Sequence, residues 1–223
     1  MQRLTVQALY DLQHTLAAPL LEAVIYPWEA LGQIGSFIRQ IGAPLPREEY
    51  ESPSPAVWIH RTAKVAPTAF IGDGVIIGPE TEVRHGAFIR GNALVGAGAV
   101  VGNSTELKNV ILFDRVQVPH YNYVGDSILG YRAHMGAGSI TSNVKSDKTL
   151  VTVRLDDQRL ETSLKKMGAM LGDLVEVGCG SVLNPGTVIG RESNIYPLSM
   201  VRGYVPAHSI YKKQGEVAEK RGE

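Results

Sequence analysis

An aliphatic residue recurs at every sixth position along much of the chain, and this period constrains the fold more than any other feature. Glycine often follows the aliphatic position directly, and a small or β-branched residue stands four places after it. A period of six fits neither an α-helix nor long alternating strands. It predicts a solenoid of very short strands with a corner in each hexad and an aliphatic column inside. The aliphatic positions are Ile59, Val65, Ile71, Ile77, Val83, Ile89, Val95, Val101 and Leu107, then Leu171, Val177, Leu183, Ile189, Ile195 and Val201.

Three other segments frame this solenoid. We predict a helical N-terminal segment and linker over 1–56, the solenoid over 57–207 with a hairpin insertion at about 142–170, and a C-terminal tail over 208–223. The N-terminal segment is predicted to hold two helices, because Pro27 suits a first turn and Gly42 suits a helix end. The apolar stripe of the second helix is predicted to pack on the solenoid or on a neighbouring subunit. Its members are Trp28, Leu31, Ile34, Ile38 and Ile41.

The hexad rhythm slips in the middle of the chain. After Leu107 the next inward positions are predicted to be Phe113, Val118, Val124, Leu129 and Met135, which include two steps of five residues. These two slips bracket the stretch VPHYNYVGD, residues 118–126. In this register Val118 and Asn122 point inward, and His120, Tyr121 and Tyr123 lie on a corner or an outer wall. A local change in a regular solenoid indicates a packing or functional reason.

The same stretch carries the motifs of a known family. His120, Tyr123, Gly125 and Asp126 form a His-x-x-Tyr-x-Gly-Asp segment, and residues 136–143 form a Gly-Ala-Gly-x-Ile-Thr-x-Asn segment. The chain thereby resembles the hexapeptide-repeat acyltransferases, and in particular the acetyltransferase domain of the bifunctional N-acetylglucosamine-1-phosphate uridylyltransferase/glucosamine-1-phosphate acetyltransferase. The resemblance covers about 59–208 and is strongest over 90–143. It implies a mainly β fold, a left-handed parallel β-helix, assembled as a homotrimer with sites between subunits.

The resemblance also implies a role for each matching residue. His120 is the expected general base, and acetyl-coenzyme A is the expected acyl donor. An amino sugar or sugar phosphate is the expected acceptor. The expected substrate-binding residues are Arg90, Lys108, Tyr123, Asn143, His134 and Lys148, the last from the neighbouring subunit, and the expected cofactor-binding residues are Ala137 and Cys179.

The chain departs from that family in three ways. His134 stands where the family has an asparagine that helps to bind the acetyl donor and the substrate amine. The loop after Asn143 is replaced by the longer hairpin. No Gly-rich nucleotide signature precedes the solenoid, so we expect no uridylyltransferase domain and no nucleotidyl transfer.

Elementary chemistry is consistent with these roles. An amino sugar must lose a proton before it attacks a thioester, and histidine, with an ordinary pKa of about 6.5, is suited to accept it. The alternative for His120 is a corner histidine hydrogen-bonded to the backbone. Arg90 and Lys108 lie eighteen residues apart, which in three hexads would stack them about 4.8 Å apart with an anion between them. The alternative is two solvated charges, with Glu106 close to one of them.

Composition narrows the classes of partner, location and cofactor that the chain can have. Basic and acidic residues both number 22, so no global field favours nucleic acid or a membrane. We expect no signal peptide, no membrane span and, from the single cysteine, a cytoplasmic location. A catalytic metal is not expected, because no His-x4-His pair accompanies His85, His120 and His134.

The sequence therefore predicts an acetyltransferase acting on an amino sugar. Two alternatives stay open. One is a non-catalytic protein that binds a sugar phosphate or UDP-sugar. The other is a relative of UDP-N-acetylglucosamine pyrophosphorylase that lacks the nucleotidyltransferase domain.

Overall fold

The predicted left-handed parallel β-helix is confirmed. The computed structural model describes residues 1–220, and the last residues of the predicted tail, 221–223, lie outside the described part. Short strands wind around a three-sided prism, and each strand pairs in parallel with its counterparts in the coils before and after it. The aliphatic residues of the six-residue repeat fill the interior and, from Ile77 to Val201, are buried.

The bounds of the elements follow the chain. The 3-10 helices are Gln2–Leu4, Leu12–His14 and Pro27–Gln33, and the α-helices are α1 (Val6–Leu9), α2 (Ala18–Glu22) and α3 (Ile34–Gly42). The strands are β1 (Tyr50–Ser54), β2 (Val57–His60), β3 (Lys64–Val65), β4 (Phe70–Ile77), β5 (Glu82–Val83), β6 (Phe88–Val95), β7 (Val100–Asn103), β8 (Glu106–Leu112), β9 (Gln117–His120), β10 (Tyr123–Leu129), β11 (His134–Met135), β12 (Ile140–Thr141), β13 (Thr152–Leu155), β14 (Gln158–Glu161), β15 (Ala169–Leu171), β16 (Glu176–Val177), β17 (Val182–Leu183), β18 (Thr187–Ile189), β19 (Asn194–Ile195), β20 (Met200–Val201), β21 (Tyr204–Val205), β22 (Ser209–Lys213) and β23 (Glu216–Glu219).

The strands form three faces. Face one holds β2, β15, β18 and β21 with the C-terminal halves of β4, β6, β8 and β10, and face three holds β12, β17 and β20 with the N-terminal halves of those four strands. Face two holds β3, β5, β7, β9, β11, β16, β19 and β22. The long strands run continuously around the corner between faces three and one, so that corner is part of the hydrogen-bonded ladder.

The N-terminal segment covers the outer side of face one. Most of that outer side is apolar and buried, with Ile76, Ile111 and Met170 at 0% exposure. The second predicted helix is present as the 3-10 helix Pro27–Gln33 continued by α3, and α3 contacts β4 and β6. Its predicted apolar stripe faces the solenoid, because Trp28, Leu31, Ile34 and Ile38 are buried.

The first predicted helix is divided into short turns instead. α1 ends where Tyr10 adopts an extended backbone, and α2 starts afresh with Pro19 in its first turn. The intervening backbone bonds to the solenoid rather than to itself: the amide of Asp11 donates to the Asp173 carboxylate (2.7 Å), and the amide of Asp173 donates to the Leu9 carbonyl (3.0 Å). Docking to a preformed corner satisfies these groups as well as helical bonds would.

The predicted register slip at Phe113 is wrong by one residue. Leu112 aligns with Val95 and with Leu129, so the first five-residue step runs from Leu107 to Leu112. Phe113 occupies the outward position that Gly96 holds one coil earlier, where it is buried against the ring of Tyr10 (centroids 5.1 Å apart). The second step, from Val124 to Leu129, is as predicted. Both shortened steps therefore lie at the corner between faces three and one.

The insertion and the tail complete the fold. β13 and β14 pair as an antiparallel hairpin that turns at Asp156, and the buried side chains Val153 and Leu155 pack it beside β18 and β21. Close approach requires glycine here: a Cβ on Gly203 would meet the Arg154 backbone and side chain. β22 extends face two and turns back into β23. Among residues 1–220, no helix has the length and apolar character needed to cross a membrane.

Candidate functional site

Three of the sequence-predicted residues lie in one column at the corner between faces two and three. We call this edge the His120 corner. Successive turns stack through backbone hydrogen bonds, from the Gly138 amide to the His120 carbonyl (3.0 Å) and from the Gly180 amide to the Ala137 carbonyl (2.9 Å). His120, Ala137 and Cys179 are thus equivalent residues of consecutive coils, and all three are exposed. The predicted base and the two predicted cofactor-binding residues are brought together.

The His120 side chain has no hydrogen-bond partner among residues 1–220. Its backbone amide donates a hydrogen bond to the Asn122 side-chain oxygen (3.1 Å), but its ring makes no hydrogen bond or ion pair within residues 1–220. His85, at the equivalent turn two coils earlier, bonds through Nδ1 to the Thr68 hydroxyl (2.7 Å). The alternative interpretation, a corner histidine hydrogen-bonded to the backbone, would need a ring contact that residues 1–220 do not provide. The hydrogen bonds of His120 in residues 1–220 are made by its main chain.

The buried neighbours of His120 fix the position of its main chain. Val118 and Asn122 point inward, as predicted, and the Asn122 amide donates to the carbonyls of Gly136 (2.9 Å) and Ser139 (3.1 Å). Gly102 lies directly beneath the turn, where a Cβ would overlap the Pro119 backbone. A rigid turn therefore presents an imidazole that is exposed and within reach of a ligand at this corner.

The other edge of face three carries a fully paired polar network, which we call the Asp126 corner. Asp126 is buried (side chain 5% exposed) and accepts from Lys108 Nζ (2.8 and 3.0 Å), from Asn109 Nδ2 (2.9 Å) and from Asn143 Nδ2 (2.6 Å). Asn109 also donates to the Leu31 carbonyl (3.1 Å), which connects the N-terminal segment to this corner. A buried carboxylate with this many donors is satisfied as an anion.

The shortened corner changes where Arg90 and Lys108 lie. Lys108 pairs with Gly91 and Gly125 in the neighbouring coils, whereas Arg90 has no partner at a break in the register. The prediction that the two cations stack directly is therefore wrong, because one residue fewer separates β8's two halves. Each cation also has its own carboxylate: Arg90 bonds to Glu106 (2.9 Å), a contact that raises the pKa of the guanidinium, and Lys108 bonds to Asp126.

Tyr123 lies in the same surroundings as Arg90, Asn143 and the Asp126 carboxylate. Its hydroxyl is placed over Gly125, in space that a Cβ at that position would fill. Burial raises the pKa of the Tyr123 phenol, the Asp126 and Glu106 carboxylates raise it further, and Arg90 and Asn143 act in the opposite direction. The phenol therefore stays protonated at neutral pH and is available as a donor. The structure brings together Arg90, Lys108, Tyr123 and Asn143.

Two predicted residues lie elsewhere. His134 is on the outer side of face two, where Nδ1 contacts the Glu176 carboxylate (2.7 Å). Lys148 lies on an exposed turn of the insertion, with a positive φ of 55°. Within one chain neither joins His120. In the part of the chain that the structure describes, no group of three or more histidine, cysteine or acidic side chains is arranged to hold a metal ion.

Sequence reasoning missed two members of the network. Asp126 was part of the quoted motif, yet its role as the central acceptor was not assigned, and Asn109 was not singled out. Both have positive φ angles, 46° and 55°, a conformation in which aspartate and asparagine are enriched. For Asp126 the available signal was its place two residues after Val124, within a five-residue step. For Asn109 the same signal was hidden, because Phe113 and not Leu112 was the predicted inward residue.

The fold and the two corners define a class: the left-handed β-helix proteins built from hexapeptide repeats. Comparison with known proteins agrees, and residues 75–205 match the family described as the GMPPB C-terminal domain. The chain belongs to this family.

Curated relatives extend the comparison. The bifunctional protein GlmU of Methanococcus maripaludis is 31% identical over 209 residues, which cover 88% of this chain and 48% of that protein. A bifunctional sugar-1-phosphate nucleotidylyltransferase/acetyltransferase of Sulfurisphaera tokodaii is 30% identical over 106 residues, 48% of this chain and 26% of that one. The chain thus spans less than half the length of these two relatives. The predicted resemblance to the acetyltransferase domain is confirmed.

A solved structure, a hexapeptide transferase family protein from Anaplasma phagocytophilum, is 18% identical and covers 76% of this chain and 82% of its own, with a TM-score of 0.44.

Proposed function

We propose that this protein is an acetyl-coenzyme A-dependent acyltransferase that N-acetylates an amino sugar or sugar phosphate, with His120 as the general base. The observation that carries the proposal is the exposed imidazole of His120 on a rigid turn, which has no ring partner among residues 1–220. Acetyl-coenzyme A supplies a thioester that the acceptor amine attacks directly. His120 takes the proton that the amine must lose, so no nucleophilic side chain is required.

The Asp126 corner and Arg90 are the proposed acceptor site. Arg90 is exposed and its contact with Glu106 is at the surface, so an incoming phosphate can replace that partner at small cost. Its planar fork suits a phosphate. Lys108 stays bound to Asp126, and its side chain remains partly exposed (29%). Tyr123 and Asn143 provide neutral donors for sugar hydroxyl groups.

The column beyond His120 is the proposed donor groove. Glycines flank both of its members, in Gly136-Ala137-Gly138 and Gly178-Cys179-Gly180. Small side chains leave the backbone of this edge accessible to an extended ligand lying along the prism axis. Ala137 and Cys179 would therefore line coenzyme A beside the base.

Face three also supports the proposed homotrimer with sites between subunits. Its outer row contains Phe70 (57% exposed) and Phe88 (42%) at one end and Met200 (52%) at the other, with Glu106 and Tyr123 between them. Face one is covered by the chain itself, and the outer row of face two is mostly polar. An uncovered apolar row with a polar centre is what an interfacial site requires. In such an assembly Lys148 and His134 would be offered to a neighbouring subunit's site.

Thiol release from acetyl-coenzyme A tests the proposal. The full chain is incubated with glucosamine-1-phosphate, other amino sugars and their unphosphorylated forms, and the released thiol is measured. Release that depends on an amino sugar is expected, together with a trimer in light scattering. Absence of release with every acceptor, combined with absence of coenzyme A binding in calorimetry, would overturn the proposal.

One observation favours a second candidate, a non-catalytic sugar-phosphate or UDP-sugar binding protein. His134 stands at the position of the family's donor-binding asparagine, and its ring is engaged by Glu176 on another face. Calorimetry separates the two candidates. Binding of a sugar phosphate or UDP-sugar without binding of coenzyme A would favour the non-catalytic protein.

A further inference from the structure

The insertion between β12 and β15 encloses a cavity that the proposed acetyl transfer does not use. The cavity lies between the loop that follows Ser142, the β13–β14 hairpin and the later corners at Pro185 and Arg202, and its volume is about 650 Å³. This volume is typical of sites for small molecules. Neither His120 nor Arg90 lines it.

The cavity carries excess positive charge. Its lining includes four basic residues, Lys145, Arg154, Arg159 and Arg202, against the acidic residues Asp147 and Glu161. Asp147 is engaged by Lys145 (3.3 Å) and by Thr149. Within residues 1–220, none of the three arginines has an ion pair or a side-chain hydrogen bond, and Glu161 has no ion pair. Three guanidinium groups therefore share one cavity with a single acidic side chain, Glu161, that is not already paired.

The register of the hairpin makes this arrangement unfavourable in the absence of a ligand. Arg154 and Arg159 are directly opposite one another in the β13–β14 pairing. Like charges at directly opposed positions destabilise a two-stranded ribbon. Arg202 is brought to the same place, because its neighbour Gly203 contacts the Arg154 backbone. An anion bound among the three would remove the repulsion and supply the missing acceptors.

We propose that this cavity is a second anion site, which binds the diphosphate group of a small molecule through Arg154, Arg159 and Arg202. Guanidinium groups bind phosphate through paired hydrogen bonds, and arginine is preferred over lysine for this purpose. Arg154 and Arg159 lie on the hairpin, and Arg202 lies on the corner after β20. Together the three guanidinium groups offer more donors than a single phosphate can accept through paired hydrogen bonds, and the cavity is larger than one phosphate. Nucleoside diphosphate sugars and coenzyme A both carry such a group. The site is independent of whether His120 catalyses acetyl transfer.

Calorimetry with inorganic pyrophosphate and the full chain tests this site directly. Saturable binding is expected for the wild-type chain and for Arg47→Gln, a matched substitution of an exposed arginine outside the cavity. Arg154→Gln and Arg159→Gln are each expected to weaken the dissociation constant at least tenfold. Without ligand, Arg159→Gln should melt at the same temperature as the wild type or higher, because the repulsion is relieved.

Competition identifies the source of the diphosphate. Displacement of pyrophosphate by coenzyme A supports the site as part of donor binding, and displacement by UDP supports it as a site for a sugar nucleotide. The proposal is overturned if the wild-type chain shows no saturable pyrophosphate binding at millimolar concentration. It is also overturned if the Arg154→Gln/Arg159→Gln double variant binds like the wild type. Thiol release is measured separately on the wild-type chain, so absence of pyrophosphate binding and absence of acetyl transfer are distinct results.

Discussion

The two edges of face three are built from the same repeat and differ in how their polar groups are used. At the His120 corner the backbone is fixed and the reactive side chain is free. At the Asp126 corner every principal polar side chain is bound to another: Lys108, Asn109 and Asn143 all donate to one buried carboxylate. Under the proposed function, the first edge would supply the base, and the second would supply a preformed surface for the acceptor.

The difference has a simple origin in the chain. The corner between faces two and three keeps its full length in every coil, so its turns stack regularly and leave side chains pointing outward. The corner between faces three and one loses a residue in two successive coils. Positive φ angles occur in the shortened turns, at Asn109 and Asp126, and also in the full-length turn at Asn92. What distinguishes the shortened turns is the level of Lys108, which pairs with Gly91 and Gly125 and donates to Asp126.

The largest effect expected from this comparison is on catalysis at the free side chain. His120→Ala should lower kcat at least about 100-fold, the usual contribution of a general base, in the thiol-release assay. Its melting temperature should change little, because the imidazole makes no bond to the rest of the described chain. The matched control is His85→Ala, at the equivalent turn, which should retain kcat. Full turnover by His120→Ala would remove His120 from the mechanism.

Loss of the central carboxylate should instead affect stability. Asp126→Asn is expected to lower the free energy of unfolding by about 2–3 kcal/mol, because charge-assisted hydrogen bonds from Lys108 and two asparagines are weakened in a buried place. Urea denaturation with an unchanged slope measures it. Asp73→Asn, an exposed aspartate at the same corner three coils earlier and paired with Arg39, should cost less than about 1 kcal/mol. Equal losses in the two variants would contradict the comparison.

The two corners also differ in how far the sequence predicts them. His120 and its column follow from period counting, since the corner that holds them has constant length. The Asp126 corner does not, because Leu112 and Phe113 are adjacent apolar residues and either could be the inward one. The choice is made by Tyr10, which covers Phe113 from a segment about a hundred residues away. Counting along one coil cannot detect a contact of that range.

The same limit explains why the predicted stacking of Arg90 and Lys108 is wrong. Eighteen residues is the spacing of equivalent positions only where all three corners keep their length. Once a residue is lost between Leu107 and Val110, Lys108 moves to the level of Gly91. The sequence predicts that Arg90 and Lys108 lie near one another, but it does not predict the pairing of Lys108 with Asp126. Which carboxylate each cation selects depends on three-dimensional placement.

A smaller effect is expected at Arg90, which pairs with Glu106 and lies outside the hydrogen-bond network around Asp126. Arg90→Gln should raise KM for a sugar phosphate about tenfold while kcat stays within about twofold, the signature of lost ground-state binding. The matched control is Arg84→Gln, because Arg84 is also exposed and also paired with a glutamate, Glu82 (2.8 Å). Its KM should not change. For an unphosphorylated amino sugar both variants should match the wild type, and a loss with that acceptor would show that Arg90 does not act through phosphate.

The smallest effect is expected at His134, where a substitution tests whether the proposed donor site extends past the His120 corner onto face two. His134→Asn removes the contact with Glu176, and because the two side chains are 34% and 51% exposed, the free energy of unfolding should change by less than about 0.5 kcal/mol. If the donor groove ends at the corner column, KM for acetyl-coenzyme A should stay within about twofold. Glu176→Gln, which leaves the imidazole in place, is the matched control. A KM that falls at least fivefold in His134→Asn but not in Glu176→Gln would mean that the imidazole itself obstructs the donor, and the site would then include face two.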